Sequence, residues 1–258
     1  MNNLELKKIA ESLLETFLEA GNIAKSISEQ GLKITIKSDK SPVTDGDIAV
    51  DKILKEKIKS LTPNIPIISE ETVDVNIKNN DKVFWLVDPI DGTRDYINKK
   101  TEYTLNAALI VDLQPSIGII YAPAKDRLFY SYGKSYAFEI NNGKNFILSC
   151  KKKNPNKIIG LEHSGTTPQE VKNIYNVHKV TETIKMSSSL KFCTLAAGEA
   201  DIYAANARAY EWDIAAGHAI LEHAGGSITT HENEKIFYGK ESYKNQSLVA
   251  KRNINLEN

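Results

Sequence analysis

The chain of 258 residues sets 33 Lys plus Arg against 33 Asp plus Glu, a formal net charge of zero, which argues against a general polyanion binder and so against a nucleic-acid partner. With 41% hydrophobic and 26% charged residues, disorder, collagen-like repeats and a disulfide scaffold are poor fits, and the length calls for one large core or two domains sharing an interface. No apolar run approaches the roughly 18–20 residues a membrane-spanning helix needs, and the N-terminus is amphipathic rather than signal-like, so a cytoplasmic protein with no integral membrane segment is expected.

Apolar residues at Leu6, Ile9, Leu13, Leu14, Phe17 and Leu18 predict a helix over residues 4–28. A second is predicted after Thr44, where the acidic VTDGD turn leads into IAVDKILKEKI with Ile48, Ile53, Leu54 and Ile58 on one side. Both should pack on a sheet. Strands follow at 65–69, 83–87, 105–111, 116–123 and 127–132, and the Asn-Gly pair in YAFEINNGKNFILS predicts a hairpin. The first half therefore reads as helices followed by a largely antiparallel sheet. Beyond the lysine-rich KKKNPNK (151–157) the pattern alternates, with KIIGLEHS, helices in PQEVKNIYNVH and SLKFCTLAAGEA, the strand DIYAA and a helix in IAAGHAILEHAGG, which favours an α/β second half. The division is placed between residues 1–150 and 151–258. Cys150 and Cys193 lack metal-ligand spacing and are expected to be reduced and buried.

The most informative stretch is VFWLVDPIDGT (83–93), a hydrophobic strand that runs straight into two carboxylates, Asp88 and Asp91. Pro89 cannot continue a hydrogen-bonded ladder and Gly92 allows a tight turn, so both carboxylates and the Ile90 carbonyl can face one point. Clustered carboxylates repel unless a cation neutralises them, and hard oxygen donors suit Mg²⁺. An Asx-type turn is the plainer reading of such a loop. Two further acidic sites stand at element ends. Glu70 follows the strand PIIS, where an acidic pair is otherwise a solvated edge, and Asp213 opens the IAAGHAILEHAGG helix, where it either caps the helix or binds a cation.

With S-E-E, D-P-I-D-G-T and W-D in this order, the chain resembles the magnesium-dependent, lithium-sensitive phosphatase superfamily of inositol monophosphatase, fructose-1,6-bisphosphatase and the 3'(2'),5'-bisphosphate nucleotidases, from the first helix to about Gly226. The resemblance implies an α/β fold layered as an αβαβα sandwich, phosphate monoester hydrolysis by metal-activated water, and two or three Mg²⁺ ions held by Glu70, Asp88, the Ile90 carbonyl, Asp91 and Asp213. It makes Thr93 the group that orients the water, with Asp45 of VTDGD hydrogen-bonded to it; an ordinary helix N-cap is the alternative role for Asp45.

The string DGTRDYINKKTEYTLNAALI looks like the DGT(K/R)(D/E)(F/Y) pattern of the bacterial bisphosphate nucleotidases, a hydrolase branch of sulfur metabolism, where inositol monophosphatases typically have DGTTNF. That branch implies removal of the 3'-phosphate of adenosine 3',5'-bisphosphate to give AMP, extending to phosphoadenylyl sulfate; the alternatives are an inositol- or sugar-phosphate phosphatase on the same scaffold and a catalytically silent phosphate-ligand-binding protein. Gly92 and Thr93 are placed to bind phosphate through backbone N–H groups. Ser188 and Lys191 match family positions near the nucleotide. Arg208 stands later than the arginine expected after Tyr203, and His163 of Glu162-His163-Ser164 replaces an expected Ser-His pair. For Lys191 and His163 alone, ordinary surface residues are the plainer reading. The resemblance leaves monomer and homodimer open, and allows peripheral placement at the inner membrane face by family analogy.

Overall fold

The first helix, α1 (Asn3–Gln30), begins where Asn2 Oδ1 accepts the N–H groups of Leu4 and Glu5, each at 3.0 Å, while the Glu5 carboxylate accepts the Asn2 N–H. This reciprocal cap satisfies donors that a helix start otherwise leaves orphaned. A short antiparallel arm of β1 (Ile34–Ile36) and β2 (Pro42–Thr44) leads into α2 (Asp45–Leu61). The inward stripe of α2 is Asp47, Asp51, Leu54 and Ile58 at helical spacing, whereas Ile48, expected on that side, is 60% exposed. The carboxylates at the inward positions of this end have partners on the first sheet and beyond its end, Asp51 with Ser69 and Asp47 with Thr93. The computed structural model describes residues 1–37, 40–77, 79–151 and 156–252; residues 152–155 of the KKKNPNK connector lie outside the described residues.

A seven-stranded sheet follows, in the order of the chain: β3 (Ile67–Ser69), β4 (Val83–Asp91), β5 (Thr104–Val111), β6 (Gln114–Ala122), β7 (Arg127–Ser131), β8 (Ala137–Asn141) and β9 (Lys144–Ile147). Within this sheet only β3 and β4 pair in parallel. The β8–β9 hairpin turns at Asn142 and Gly143, both with positive φ (49° and 70°), as the Asn-Gly pair predicts. A second, five-stranded sheet has the order β11 (Glu182–Lys185), β10 (Ile159–Glu162), β12 (Ile202–Ala205), β14 (Leu248–Lys251), β13 (Ser227–Thr230). The helices of this half are α4 (Gln169–Val177), α5 (Leu190–Ala196) and α6 (Glu211–His223).

Strand alternation sorts these elements into five layers. Trp85, Val87, Ala107, Leu109 and Ile119 pack with Leu13, Phe17 and Leu54 of α1 and α2, while Phe84, Leu86, Ala108, Ile110 and Ile120 pack with α5 and α6 on the opposite face. The same middle layer meets Tyr203, Leu248 and Ala250 of the second sheet, whose outer face, Ile202, Ala204 and Val249, is covered by Val171 and Tyr175 of α4. The result is the αβαβα sandwich expected from the sequence. Cys150 and Cys193 are both free thiols and buried. No helix among the described residues is long and apolar enough to cross a membrane.

The middle layer depends on a close approach. A Cβ on Gly118 of β6 would lie 2.3 Å from the Ala216 carbonyl oxygen of α6, so only a residue without a side chain lets helix and sheet meet there.

Candidate active site

Asp88 and Asp91 are three residues apart and would point to opposite faces of a regular strand. They do not, because β4 is bulged at this point: Asp88 pairs with Asn106 and Asp91 with Thr104, so Pro89 and Ile90 together oppose Leu105 alone. The extra residue reverses the parity. Trp85, Val87 and Ile90 therefore share the core under α1 and α2, and the two carboxylates turn toward the middle layer. Gly92 follows with φ 93° and ψ 37°, a left-handed turn that glycine adopts without strain, and starts the short helix α3 (Thr93–Ile97).

Three element ends converge here. Carboxylate oxygens of Glu70 after β3, Asp88 on β4 and Asp213 in the first turn of α6 lie within 4.8 Å of one another. Asp213 also caps its helix, Oδ2 accepting the Tyr210 N–H at 2.8 Å, so the cap does not take it out of the acid trio. Asp91 stands beside the trio, one oxygen accepting the Ser189 N–H. Burial, reinforced by repulsion from its neighbours, drives the Asp88 carboxyl well above the ordinary carboxylate range; Asp213 and Asp91 move in the same direction, again chiefly through burial. Burial and neighbouring acids push Glu70 up to about 7, against the attraction of Lys37.

Asp88 is 1% exposed and neither of its oxygens has a hydrogen-bond partner. A buried carboxylate left without donors is costly unless a cation answers it. Hard oxygen ligands around an orphaned carboxylate fit a divalent metal ion. Lys37 answers part of this charge, with Nζ 2.8 Å from Glu71 and 3.6 Å from Glu70.

The partner of Thr93 differs from the one expected. Thr93 Oγ1 lies 3.2 Å from Asp47 Oδ1 and 3.1 Å from the Ile90 carbonyl oxygen. Asp45, assigned to Thr93 from the sequence, instead accepts the Lys33 N–H at 3.1 Å and pins the β1–β2 arm. Nor is Asp45 the N-cap: Thr44 is, its Oγ1 accepting the N–H of Gly46 and Asp47 while Asp47 Oδ2 accepts the Thr44 N–H at 2.8 Å. Asp45 and Asp47 are two residues apart on a helix and diverge. Asp47 is buried, which raises its carboxyl above the usual range.

The acids open into a cavity of about 710 Å³ lined by Asp91, Thr93, Lys191, Arg208, His163 and Asp213, among others. Gly92 and Ser188 also line it. The substrate contacts expected from the sequence all line this cavity, with Glu70, Asp91 and Asp213; Asp88 and Ile90 are buried outside its lining, and Asp45 is turned to the β1–β2 arm. Lys191 is no surface lysine: it is 4% exposed, its Nζ donates to the Ser188 carbonyl at 2.6 Å, and burial brings its ammonium down to about 8. Arg208 and His163 reach the cavity from loops. Burial, with Arg208 and Lys191 nearby, lowers the His163 imidazole to about 4, so it is neutral at pH 7. Trp212 packs in the middle-layer core between Tyr210 and Tyr243, and His218 is buried with Nδ1 2.8 Å from the Tyr238 hydroxyl; both are structural.

A layered αβαβα frame with an acid cluster at a bulged strand end is the architecture of a metal-dependent phosphatase. The chain belongs to the inositol monophosphatase family, whose model matches residues 5–257. It is 35% identical over 246 residues to the 3'(2'),5'-bisphosphate nucleotidase CysQ of Buchnera aphidicola subsp. Acyrthosiphon pisum, covering 94% of this chain and 91% of that one. It is 32% identical over 217 residues to CysQ of Escherichia coli strain K12, covering 83% and 87%. The crystal structure of CysQ from Bacteroides thetaiotaomicron superposes with a TM-score of 0.78 at 27% identity, covering 94% of this chain and 96% of that one.

Proposed function

We propose that this chain is a Mg²⁺-dependent 3'(2'),5'-bisphosphate nucleotidase that removes the 3'-phosphate of adenosine 3',5'-bisphosphate, leaving AMP and phosphate, and acts likewise on phosphoadenylyl sulfate. The observation that carries this reading is Lys191, a buried ammonium in the same cavity as the acid cluster and joined there by Arg208. A substrate with one phosphate at the acids would leave these cations unanswered; a second phosphate answers them. The relatives named CysQ are bisphosphate nucleotidases and support the same substrate class.

Glu70, Asp88, Asp91, Asp213 and the Ile90 carbonyl would hold two or three Mg²⁺ ions. Bound there, the ions would acidify water, hold the scissile phosphate and neutralise the leaving alkoxide. Thr93 Oγ1 orients the attacking water and takes its proton as its own passes to Asp47 Oδ1, the carboxylate beside it. The water oxygen bonds to phosphorus, the P–O3' bond breaks, and the 3'-oxygen leaves with a proton from solvent. The backbone N–H groups of Gly92 and Thr93 receive the scissile phosphate, while Ser188, Lys191, Arg208 and His163 receive the 5'-phosphate and nucleoside. Residues 1–150 thus supply most of the metal ligands, the proton path and the donors to the scissile phosphate, and 151–258 supply Asp213 and the contacts to the 5'-phosphate and nucleoside.

Comparing kcat/KM for adenosine 3',5'-bisphosphate, inositol 1-phosphate and fructose 1,6-bisphosphate, each with Mg²⁺, tests the reading. The first should be preferred. Faster turnover of inositol 1-phosphate moves the assignment to the inositol phosphatases, and no hydrolysis of any of the three leaves a phosphate-ligand-binding protein.

A further inference from the structure

The short segment 187–189 forms one wall of the cavity, and its shape is held from outside. Ser188 has φ 54°, a left-handed conformation that residues with a side chain enter only when their surroundings impose it. Both flanking N–H groups are fixed by carboxylates of the other half of the chain: Ser187 N–H donates to Glu102 Oε2 at 2.8 Å, and Ser189 N–H donates to Asp91. The Ser189 hydroxyl adds bonds to Asn106 Oδ1 at 2.6 Å and to the Thr104 hydroxyl at 2.8 Å. This turn aims the Ser188 carbonyl back at Lys191, whose Nζ it accepts at 2.6 Å. The closer of the two carbonyls that hold Lys191 Nζ is thus set by the turn; the other, of Met186, lies at 3.3 Å just before it.

Asp91 belongs to the acid cluster, but Glu102 does not. Glu102 lies outside the lining of the main cavity; it pairs with Lys125 at 3.9 Å, and its charge also acts on the Lys191 ammonium. We infer that Glu102 is a positioning residue for substrate selection: by holding the Ser187 N–H across the two halves of the chain, it fixes the left-handed turn at Ser188 and so presents Lys191 to the phosphate that is not hydrolysed. The inference rests on the nucleotidase reading for its substrate, and on the hydrogen-bond geometry alone for the positioning.

The test combines two measurements on Glu102→Ala and Glu102→Gln. Amide hydrogen exchange reads the turn directly, because an N–H released from its acceptor exchanges through local opening. Exchange at residues 187–189 should accelerate at least about tenfold in Glu102→Ala and stay near wild type in Glu102→Gln, which retains an acceptor oxygen. Steady-state kinetics reads the consequence. In Glu102→Ala the KM for adenosine 3',5'-bisphosphate should rise by roughly tenfold with kcat within about twofold, while KM for adenosine 3'-monophosphate, which lacks the second phosphate, stays put; Glu102→Gln should restore the KM. Unchanged exchange in Glu102→Ala overturns the positioning role, and an equal rise in KM for both substrates overturns the selectivity. A wild-type preference for inositol 1-phosphate sinks the nucleotidase reading instead and the selectivity with it, and the exchange result still decides whether Glu102 holds the turn.

Discussion

Glu70→Gln should stabilise the metal-free protein and weaken its response to metal. The Glu70 carboxyl is raised from 4.5 to about 7, first by burial and then, against the pull of Lys37, by Glu71, Asp91 and Asp47. A folded-state pKa above the unfolded value contributes stability that is complete below 4.5 and lost as pH rises through about 7. The carboxylate therefore costs the metal-free fold about 3 kcal/mol at pH 8 and about 1 kcal/mol at pH 5.5, at about 1.4 kcal/mol per pH unit. Gln keeps the volume and removes the charge, and Lys37 keeps its closer partner, Glu71. For a chain of this size the difference at pH 8 corresponds to about 6–12 °C in Tm. Scanning calorimetry in EDTA should find Glu70→Gln more stable than wild type by that amount at pH 8, with the gap narrowing toward pH 5.5. With Mg²⁺ at a hundredfold over Kd the wild type should gain about 2.7 kcal/mol and the variant clearly less. A gap in EDTA that is absent, reversed or independent of pH would refute the account of Glu70 as a carboxylate that Lys37 compensates only in part.

Thr93→Ala and Asp47→Asn should each lower kcat by about two to four orders of magnitude while the Mg²⁺-induced rise in Tm persists, and Asp45→Asn should stay close to wild-type kcat; stopped-time phosphate release distinguishes them. Lys191→Met should raise KM for adenosine 3',5'-bisphosphate by roughly ten- to a hundredfold with kcat little changed. Because burial lowers the Lys191 ammonium to about 8, the charge is present below that pH and fades above it, so kcat/KM for the bisphosphate should fall above pH 8 in wild type while Lys191→Met shows no such limb. Gly118→Ala should lower stability by about 1–3 kcal/mol in urea titration, since its Cβ would meet the Ala216 carbonyl, which cannot move without shifting α6.

The helices α1 and α2 were legible because each carries one clear period over many residues, and the antiparallel strands because they are apolar runs, buried at nearly every position and punctuated by Gly, Pro and Asn. The bulge in β4 was half legible: Pro89 and Gly92 announce a turn, but the reversal of parity that brings Asp88 and Asp91 to one face is a property of the pairing with β5. Short elements escaped. The strand β11 is exposed at all four positions, so it has no apolar alternation to read, and the β1 strand is exposed throughout. The assignment of Asp45 to Thr93 had a readable remedy, since T-x-x-D at Thr44 and Asp47 is the spacing of a reciprocal cap and turns Asp47 inward. What spacing could not supply is the contact of Asp47 with Thr93 across 46 residues. A surface lysine is the plainer reading of Lys191 from sequence, yet every residue of α5 is buried, and a lone charge in the apolar string LKFCTLA is itself a sign of a buried ammonium.

The placement of the acids explains why the site needs both halves of the chain. Glu70 and Asp88 come from the first sheet and Asp213 from α6 in the middle layer, and α6 packs against both sheets through one continuous core. Docking α6 on the first sheet buries apolar surface and, in the same step, brings a third carboxylate against two others. The hydrophobic gain and the electrostatic cost thus arise from one packing event, and they scale differently with conditions. The first is insensitive to pH, whereas the second grows as the raised carboxyls ionise and is removed by a bound divalent cation. A divalent cation bound there should for that reason hold α6 more firmly to the first sheet, with an affinity that strengthens with rising pH as the carboxylates give up their protons.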